Sequence, residues 1–148
     1  FNPDKDVTRA EFVTMAMKIA GIEVNGKLSA SYFDDNAEIP RALMPYVATA
    51  QRTGLIQGSF SGGRLLFSPN KAITKYEAAE ILTRISNLKY EGECPVFSDH
   101  TDIPVWARDS VYTLYALSVF ESDNGAISPL DTVSRAECAE YLYRLYKL

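Results

Sequence analysis

Phe67-Ser68-Pro69 is followed, after three residues, by Ile73-Thr74-Lys75-Tyr76-Glu77, and this stretch decides how the rest of the chain is read. The same grammar stands in Phe1-Asn2-Pro3 with Val7-Thr8-Arg9-Ala10-Glu11, and in Ile127-Ser128-Pro129 with Val133-Ser134-Arg135-Ala136-Glu137. Proline and hydroxyl residue are five positions apart each time, and the hydroxyls are 66 and 60 residues apart. A local unit repeated at such a period governs the architecture.

Each copy is a capping box. The hydroxyl of Thr8, Thr74 or Ser134 accepts from the amide three residues on, and Glu11, Glu77 or Glu137 reaches back to the amide of the cap. The residue before each cap is apolar (Val7, Ile73, Val133), as is the residue after each Glu (Phe12, Ala78, Cys138), which is the pattern of a hydrophobic staple. In this role Cys138 is a small apolar residue. Apolar stripes follow at helical spacing: Val13, Ala16 and Ile19; Ala79, Leu82 and Ile85; Ala139, Leu142 and Leu145. Gly21 and Asn87 stand where a left-handed C-terminal cap is wanted. Lys18, Arg84 and Arg144 share one position near the helix ends, where a cation suits the dipole.

A second unit alternates with the boxes. Phe33-Asp34-Asp35 leads to Ile39-Pro40 and a helix to about Thr53, with Gly54 as its stop; Phe97-Ser98-Asp99 leads to Ile103-Pro104 and a helix through Trp106, Val111, Leu114 and Leu117. Pro45 either opens the first of these helices or kinks it. Ser61-Gly62-Gly63 reads as a turn between two very short extended segments, and Asp123-Asn124-Gly125 as its shorter counterpart. Asp35 and Asp99 are expected to satisfy loop or helix-start amides. The spacing therefore divides the chain into 1–22 (the second half of a first repeat), a connector 23–32, a second repeat 33–88, a connector 89–96 and a third repeat 97–148. All are expected to form one compact, all-α domain of helix-loop-helix repeats. Because Phe1 already lies inside a repeat, the sequence reads as a piece of a longer chain.

Composition narrows the function classes. The 148 residues are 47% hydrophobic, enough for one sizeable core. A net charge of −4 speaks against a binder that relies on a basic surface for nucleic acid. No apolar run approaches the ~20 residues of a membrane span. Two Cys without CxxC spacing and a single His, His100, exclude a zinc site, and whether Cys94 and Cys138 pair stays open. Asp4-Lys5-Asp6-Val7-Thr8 fails as a calcium loop, because Arg9 stands where glycine is needed and Met15 where the bidentate Glu would be. A glycosidase needs two carboxylates across a cleft. Asp34, Asp35, Asp99 and Asp102 each belong to a repeated loop with a structural role, and nothing positions His100 as a base. No catalytic residue, metal or cofactor is expected.

The F-x-P and V/I-T-R-A-E signature, alternating with F-x-D, I-P, a helix and G-L/I-x-x-G, resembles the S-layer homology domain over nearly the whole chain. That resemblance implies tandem repeats in a pseudo-threefold bundle with short extended loop segments. It implies a non-catalytic module of exported bacterial proteins, held at the cell surface by secondary cell-wall polysaccharide, often pyruvylated, or by peptidoglycan-linked glycan. It implies ligand contacts at Arg9, Lys75 and Arg135, one cation per repeat, and an aromatic wall at Trp106, where the second repeat has Ala42. A carboxylate on such a glycan suits the start of a helix, where unpaired amides and the dipole favour anions, and suits the planar fork of Arg. The chain departs from the pattern at Lys75-Tyr76, which replaces Arg-Ala, at Ser118-Val119 in place of Gly-Ile, and at Glu121-Ser122 near an expected Gly. The alternative expectation is a degenerate repeat that serves protein contact or spacing in a surface layer.

Overall fold

The three capping boxes each start a helix. The computed structural model describes residues 2–148; Phe1, the first residue of the first motif, lies outside the described residues. The box helices are α1 (Arg9–Ile19), α3 (Lys75–Ile85) and α5 (Arg135–Tyr146), each preceded by an extended cap residue. In α1 the Glu11 amide donates to Thr8 Oγ1 at 3.2 Å and the Thr8 amide to Glu11 Oε2 at 3.0 Å. Ser134 and Glu137 of α5 match this at 3.2 and 2.8 Å. The box of α3 has the same arrangement and its carboxylate arm bonds at 3.0 Å, but Thr74 Oγ1 falls outside hydrogen-bond geometry and is buried with no partner among the described residues. Gly21 and Asn87 follow α1 and α3 with φ of 66° and 48°, the left-handed stops the sequence calls for.

The other two helices are α2 (Met44–Arg52) and α4 (Arg108–Ala116). Both begin later than the Ile-Pro steps suggest. A helix running unbroken from Arg41 would set the Pro45 ring against the Arg41 carbonyl, so the chain makes a turn after Pro40 and Pro45 sits in the first turn of α2, where its missing amide is not needed. After Pro104 the chain forms one 3-10 turn, Val105–Ala107, which holds Trp106 ahead of α4.

The all-α expectation needs amending: the fold is mostly helical but carries a small antiparallel ribbon. Strands β1 (Ser59–Ser61) and β2 (Arg64–Leu66) pair Phe60 with Leu65 across the turn at Gly62-Gly63, both with positive φ. Asn124 and Gly125 make the matching left-handed turn between Asp123 and Ala126, where a single bridge replaces the ribbon.

The chain forms two compact units, residues 8–72 and residues 73–148 with the opening residues to Val7. In the first, α1 packs on α2 around Phe12, Val13, Met17 and Val47, and Phe33 stacks on Phe67 at 5.3 Å. In the second, α3 packs on α4 around Leu82, Val111 and Leu114. Each large side chain so enclosed contributes about 1.5–3 kcal/mol. Within the second unit the three residues ahead of the caps close a ring of backbone hydrogen bonds. Val7 N–H donates to Val133 O (2.9 Å), Val133 to Ile73 (2.9 Å) and Ile73 to Val7 (3.0 Å). All three side chains are buried, as are Phe12, Ala78 and Cys138. Cys94 is half-buried and Cys138 buried, and no disulfide joins them.

Two stripe residues are misplaced by the spacing argument. Ile19 is exposed at the end of α1, and Ala139 faces out, because α5 turns Cys138, Tyr141 and Leu142 inward instead. Gly58 is fixed by space as well as by its φ of 70°: a Cβ there would lie 2.6 Å from Leu66 O and 2.6 Å from the Phe33 ring. Gly58→Ala is therefore expected to cost roughly 2–3 kcal/mol, read as a lower urea midpoint.

Candidate functional site

The first residue of each box helix is a cation, and in two of them the side chain is clamped the same way. Arg9 Nε donates to Phe67 O at 2.8 Å while the guanidinium lies 5.2 Å from the Phe67 ring centroid. Lys75 Nζ donates to Ile127 O at 2.8 Å and more weakly to Glu121 O at 3.4 Å, and lies 5.1 Å from the Phe120 ring. Phe67 and Ile127 hold the same place ahead of their Ser-Pro steps. Each cation is thus held by a carbonyl of a neighbouring loop and by an aromatic face. Arg9 and Lys75 are half-buried and Arg135 is exposed.

The backbone at these helix starts is already occupied, which corrects the expectation of unpaired amides waiting for an anion. In α1 the amides of Arg9 and Ala10 donate to Lys71 O and Pro69 O at 2.9 and 3.0 Å. Lys75 and Tyr76 donate to Asp131 O and Pro129 O, and Arg135 and Ala136 to Lys5 O and Pro3 O, at 2.9–3.1 Å. With the third amide of α1 and α5 bonded to the cap hydroxyl, any anion there must be met by side chains.

The loops that supply these carbonyls are shaped by Asp35 and Asp99. Asp35 Oδ1 and Oδ2 accept from Phe67 and Ser68 amides at 3.0 and 2.7 Å, and Asp99 accepts from Ile127 and Ser128 at 3.0 and 2.7 Å. Ser68 and Ser128 have φ of 57° and 54°, and this left-handed turn points two successive amides at one carboxylate. Partial burial pushes the Asp99 carboxyl upward, but the bonds from Ile127 and Ser128 and the Lys75 charge outweigh it, so its pKa lies below the ordinary 3.8. A carboxyl whose pKa falls on folding stabilises the fold where it is ionised, above the unfolded value, and that contribution is lost as pH falls through the folded pKa. Urea midpoints are expected to drop below about pH 4, and Asp99→Asn to flatten that drop.

Lys75 stands in a poor place for an anion. The cavity beside it, about 240 Å³, is lined by Glu121, Asp123, Glu137 and Glu140 against Lys75 and Arg144. Arg144 pairs with Glu121 at 2.7 Å and with Glu140. Burial lowers the Lys75 pKa, and the carboxylates of Glu137, Asp131, Asp99 and Glu121 oppose that shift. Sequence reasoning missed this acid lining, whose one visible signal was Glu121-Ser122 near an expected glycine. It also missed Phe67 and Phe120 as the rings under the cations.

Trp106 is 61% exposed and meets the Tyr76 ring edge-on at 5.6 Å. Tyr76, a departure from the family pattern, thus props the aromatic next to the Lys75 helix start. A further cavity of about 510 Å³, lined by Tyr90, Glu93, Cys94, Tyr115 and Glu121 among others, contains none of the predicted site residues. Among the described residues no cluster of three or more His, Cys, Asp or Glu could hold a metal, and no helix is long and apolar enough to cross a membrane.

Comparison with known families bears on these helix starts. The S-layer homology domain family matches residues 96–139, the stretch from Phe97 through the Ser134–Glu137 box. Residues 96–139 are thus similar to an S-layer homology domain. The similarity continues across the chain. It is 24% identical over 149 residues to the S-layer protein sap of Bacillus anthracis, covering 99% of this chain and 17% of that protein. It is 27% identical over 150 residues to the surface-layer 125 kDa protein of Lysinibacillus sphaericus, covering 94% and 12%. It is 28% identical over 153 residues to an amylopullulanase of Thermoanaerobacterium thermosulfurigenes, covering 98% and 8%. The chain therefore spans less than a fifth of each of these relatives. The S-layer homology domain and the S-layer relatives support a surface or cell-wall anchoring module at a bacterial cell surface.

Proposed function

We propose that this S-layer homology chain is a non-catalytic anchor that binds a cell-wall glycan carrying an anionic group, such as a pyruvylated amino sugar, or a peptidoglycan-linked glycan. The repeats 33–88 and 97–148, with the half-repeat 1–22, form a pseudo-threefold bundle in this reading. The clamp on Arg9 carries the proposal. A guanidinium fixed over the Phe67 ring by its Nε bond to Phe67 O is held in one orientation at the positive end of a helix. A planar fork so preorganised suits a ketal carboxylate better than a mobile lysine does. Arg135 takes the equivalent place on α5, and exposed Trp106 offers a face for a sugar ring. Lys75 contributes little to anion capture, since a carboxylate would enter a cavity that already holds more acids than bases.

That acid lining favours a second reading for part of the surface: the Lys75 region serves protein contact or spacing rather than glycan. Competition separates the two. A free pyruvylated amino sugar at millimolar concentration is expected to release the chain from purified cell walls, whereas the same amino sugar without the pyruvyl ketal is not. Release by salt but by neither sugar would favour the protein-contact reading.

A further inference from the structure

The connector ahead of the third repeat is tied to α4. The Tyr90 amide donates to Thr113 Oγ1 at 3.2 Å, the Cys94 thiol meets Tyr112 O at 4.0 Å, and just beyond the connector the Phe97 amide donates to Tyr112 Oη at 3.3 Å. Tyr90, Glu93 and Cys94 of this strap form one wall of the cavity of about 510 Å³, and Tyr115 and the loop 118–122 line it as well. Gly92 makes room for the Tyr90 ring, since a Cβ there would strike its phenol oxygen. Arg144 holds the loop without lining the cavity: its guanidinium donates to Ser118 O and Val119 O at 3.5 and 3.4 Å and to Glu121 Oε1 at 2.7 Å.

The lining carries one sign of charge. Glu93 and Glu121 belong to it, and among the described residues no lysine or arginine does. Arg144 answers Glu121, whereas Glu93 makes no ion pair among the described residues. Tyr90 is 41% exposed, Tyr115 half-buried and Phe120 buried, so ring surface stands beside the carboxylates. An anion is repelled here, and a purely apolar ligand would strip water from Glu93 without replacing it. A sugar ring offers its C–H face to the tyrosines and its hydroxyls to Ser118, Ser122 and the phenols. A charged amine on that ring supplies the cation that Glu93 lacks. The volume falls within the roughly 300–1,000 Å³ of small-molecule pockets.

We propose that this cavity is a second carbohydrate site, selective for an amino sugar whose amine is free and charged. Glu93 is its anionic contact, and Tyr90 and Tyr115 are its aromatic walls. Its chemistry is opposite to that of the arginine-headed helices, and it shares neither Arg9 nor Arg135 with them.

Amide NMR titration of the chain with glucosamine tests this, with N-acetylglucosamine and Nα-acetyl-lysine amide as comparison probes at matched ionic strength. Glucosamine is expected to shift the Gly92, Glu93 and Ser118 amides saturably at millimolar concentration, and N-acetylglucosamine to bind about fivefold more weakly or worse. Glu93→Gln, at an exposed position, should keep the dispersion of the folded spectrum. It should weaken glucosamine by about fivefold and leave N-acetylglucosamine unchanged, whereas Tyr90→Ala should weaken both sugars. No saturable shift with glucosamine, or equal affinity for the two sugars, would overturn the proposal. So would tighter binding of the lysine amide than of glucosamine, which would make the cavity a site for protein amines. Arg9→Ala/Arg135→Ala should leave the titration as it is, so this site and the anionic-glycan reading fail separately.

Discussion

Replacing Arg9 and Arg135 together by alanine is expected to lower retention of the chain on purified cell walls by about tenfold or more, the loss of two charge-assisted, fork-shaped contacts. Co-sedimentation with wall fragments reads this directly. Each substitution lies at the first helical position, outside the buried core, so the helices should survive; the cap partners Thr8, Glu11, Ser134 and Glu137 remain. Arg9→Lys keeps the charge and loses the fork, and should fall between wild type and alanine. Lys75→Ala should change retention by less than about twofold, because the Lys75 ammonium already answers Ile127 O and the Phe120 ring in a cavity rich in carboxylates. A loss with Lys75→Ala equal to that of the double variant would contradict the unequal roles given to the three cations.

Asp35→Ala is expected to be the most damaging change to the fold itself. Asp35 is 5% exposed and holds two adjacent amides at the left-handed turn of Ser68. Removing it leaves the Phe67 and Ser68 amides without their acceptor beside a buried ring. Two charged hydrogen bonds of this kind are worth roughly 3–5 kcal/mol together, a large part of the 5–15 kcal/mol that holds a domain of this size. Asp35→Asn retains one acceptor oxygen and should cost roughly half as much. Urea unfolding checks both. Because Phe67 O also anchors Arg9, the alanine variant should weaken wall binding in proportion to its unfolding and more steeply as temperature rises.

The local rules of the sequence carried far. Capping boxes, left-handed stops at Gly21 and Asn87, the Gly62-Gly63 turn and the amide-binding role of Asp35 and Asp99 are all short-range chemistry, and each stands where its residues put it. The misjudged points depend on what lies opposite. Ala139 has the right spacing for a core stripe, but its burial needs a covering helix, and α5 has none among the described residues. Unpaired amides at a helix start are a property of an isolated helix; here Pro3, Pro69 and Pro129 supply carbonyls from loops a repeat away. The acids around Lys75 come from residues 121–140, scattered in sequence and gathered by the fold. The cations at the three helix starts were therefore legible in the sequence, and what surrounds them was not.

The central claim is that the chain recognises an anionic cell-wall glycan through its arginine-headed helices. Calorimetric titration of purified wall polysaccharide, native and chemically stripped of its pyruvyl ketals, into the chain tests it most directly. Binding of the native polymer that is lost on stripping, and lost in the Arg9→Ala/Arg135→Ala variant, is the predicted result. No heat with the native polymer, or equal affinity for the stripped one, would contradict it.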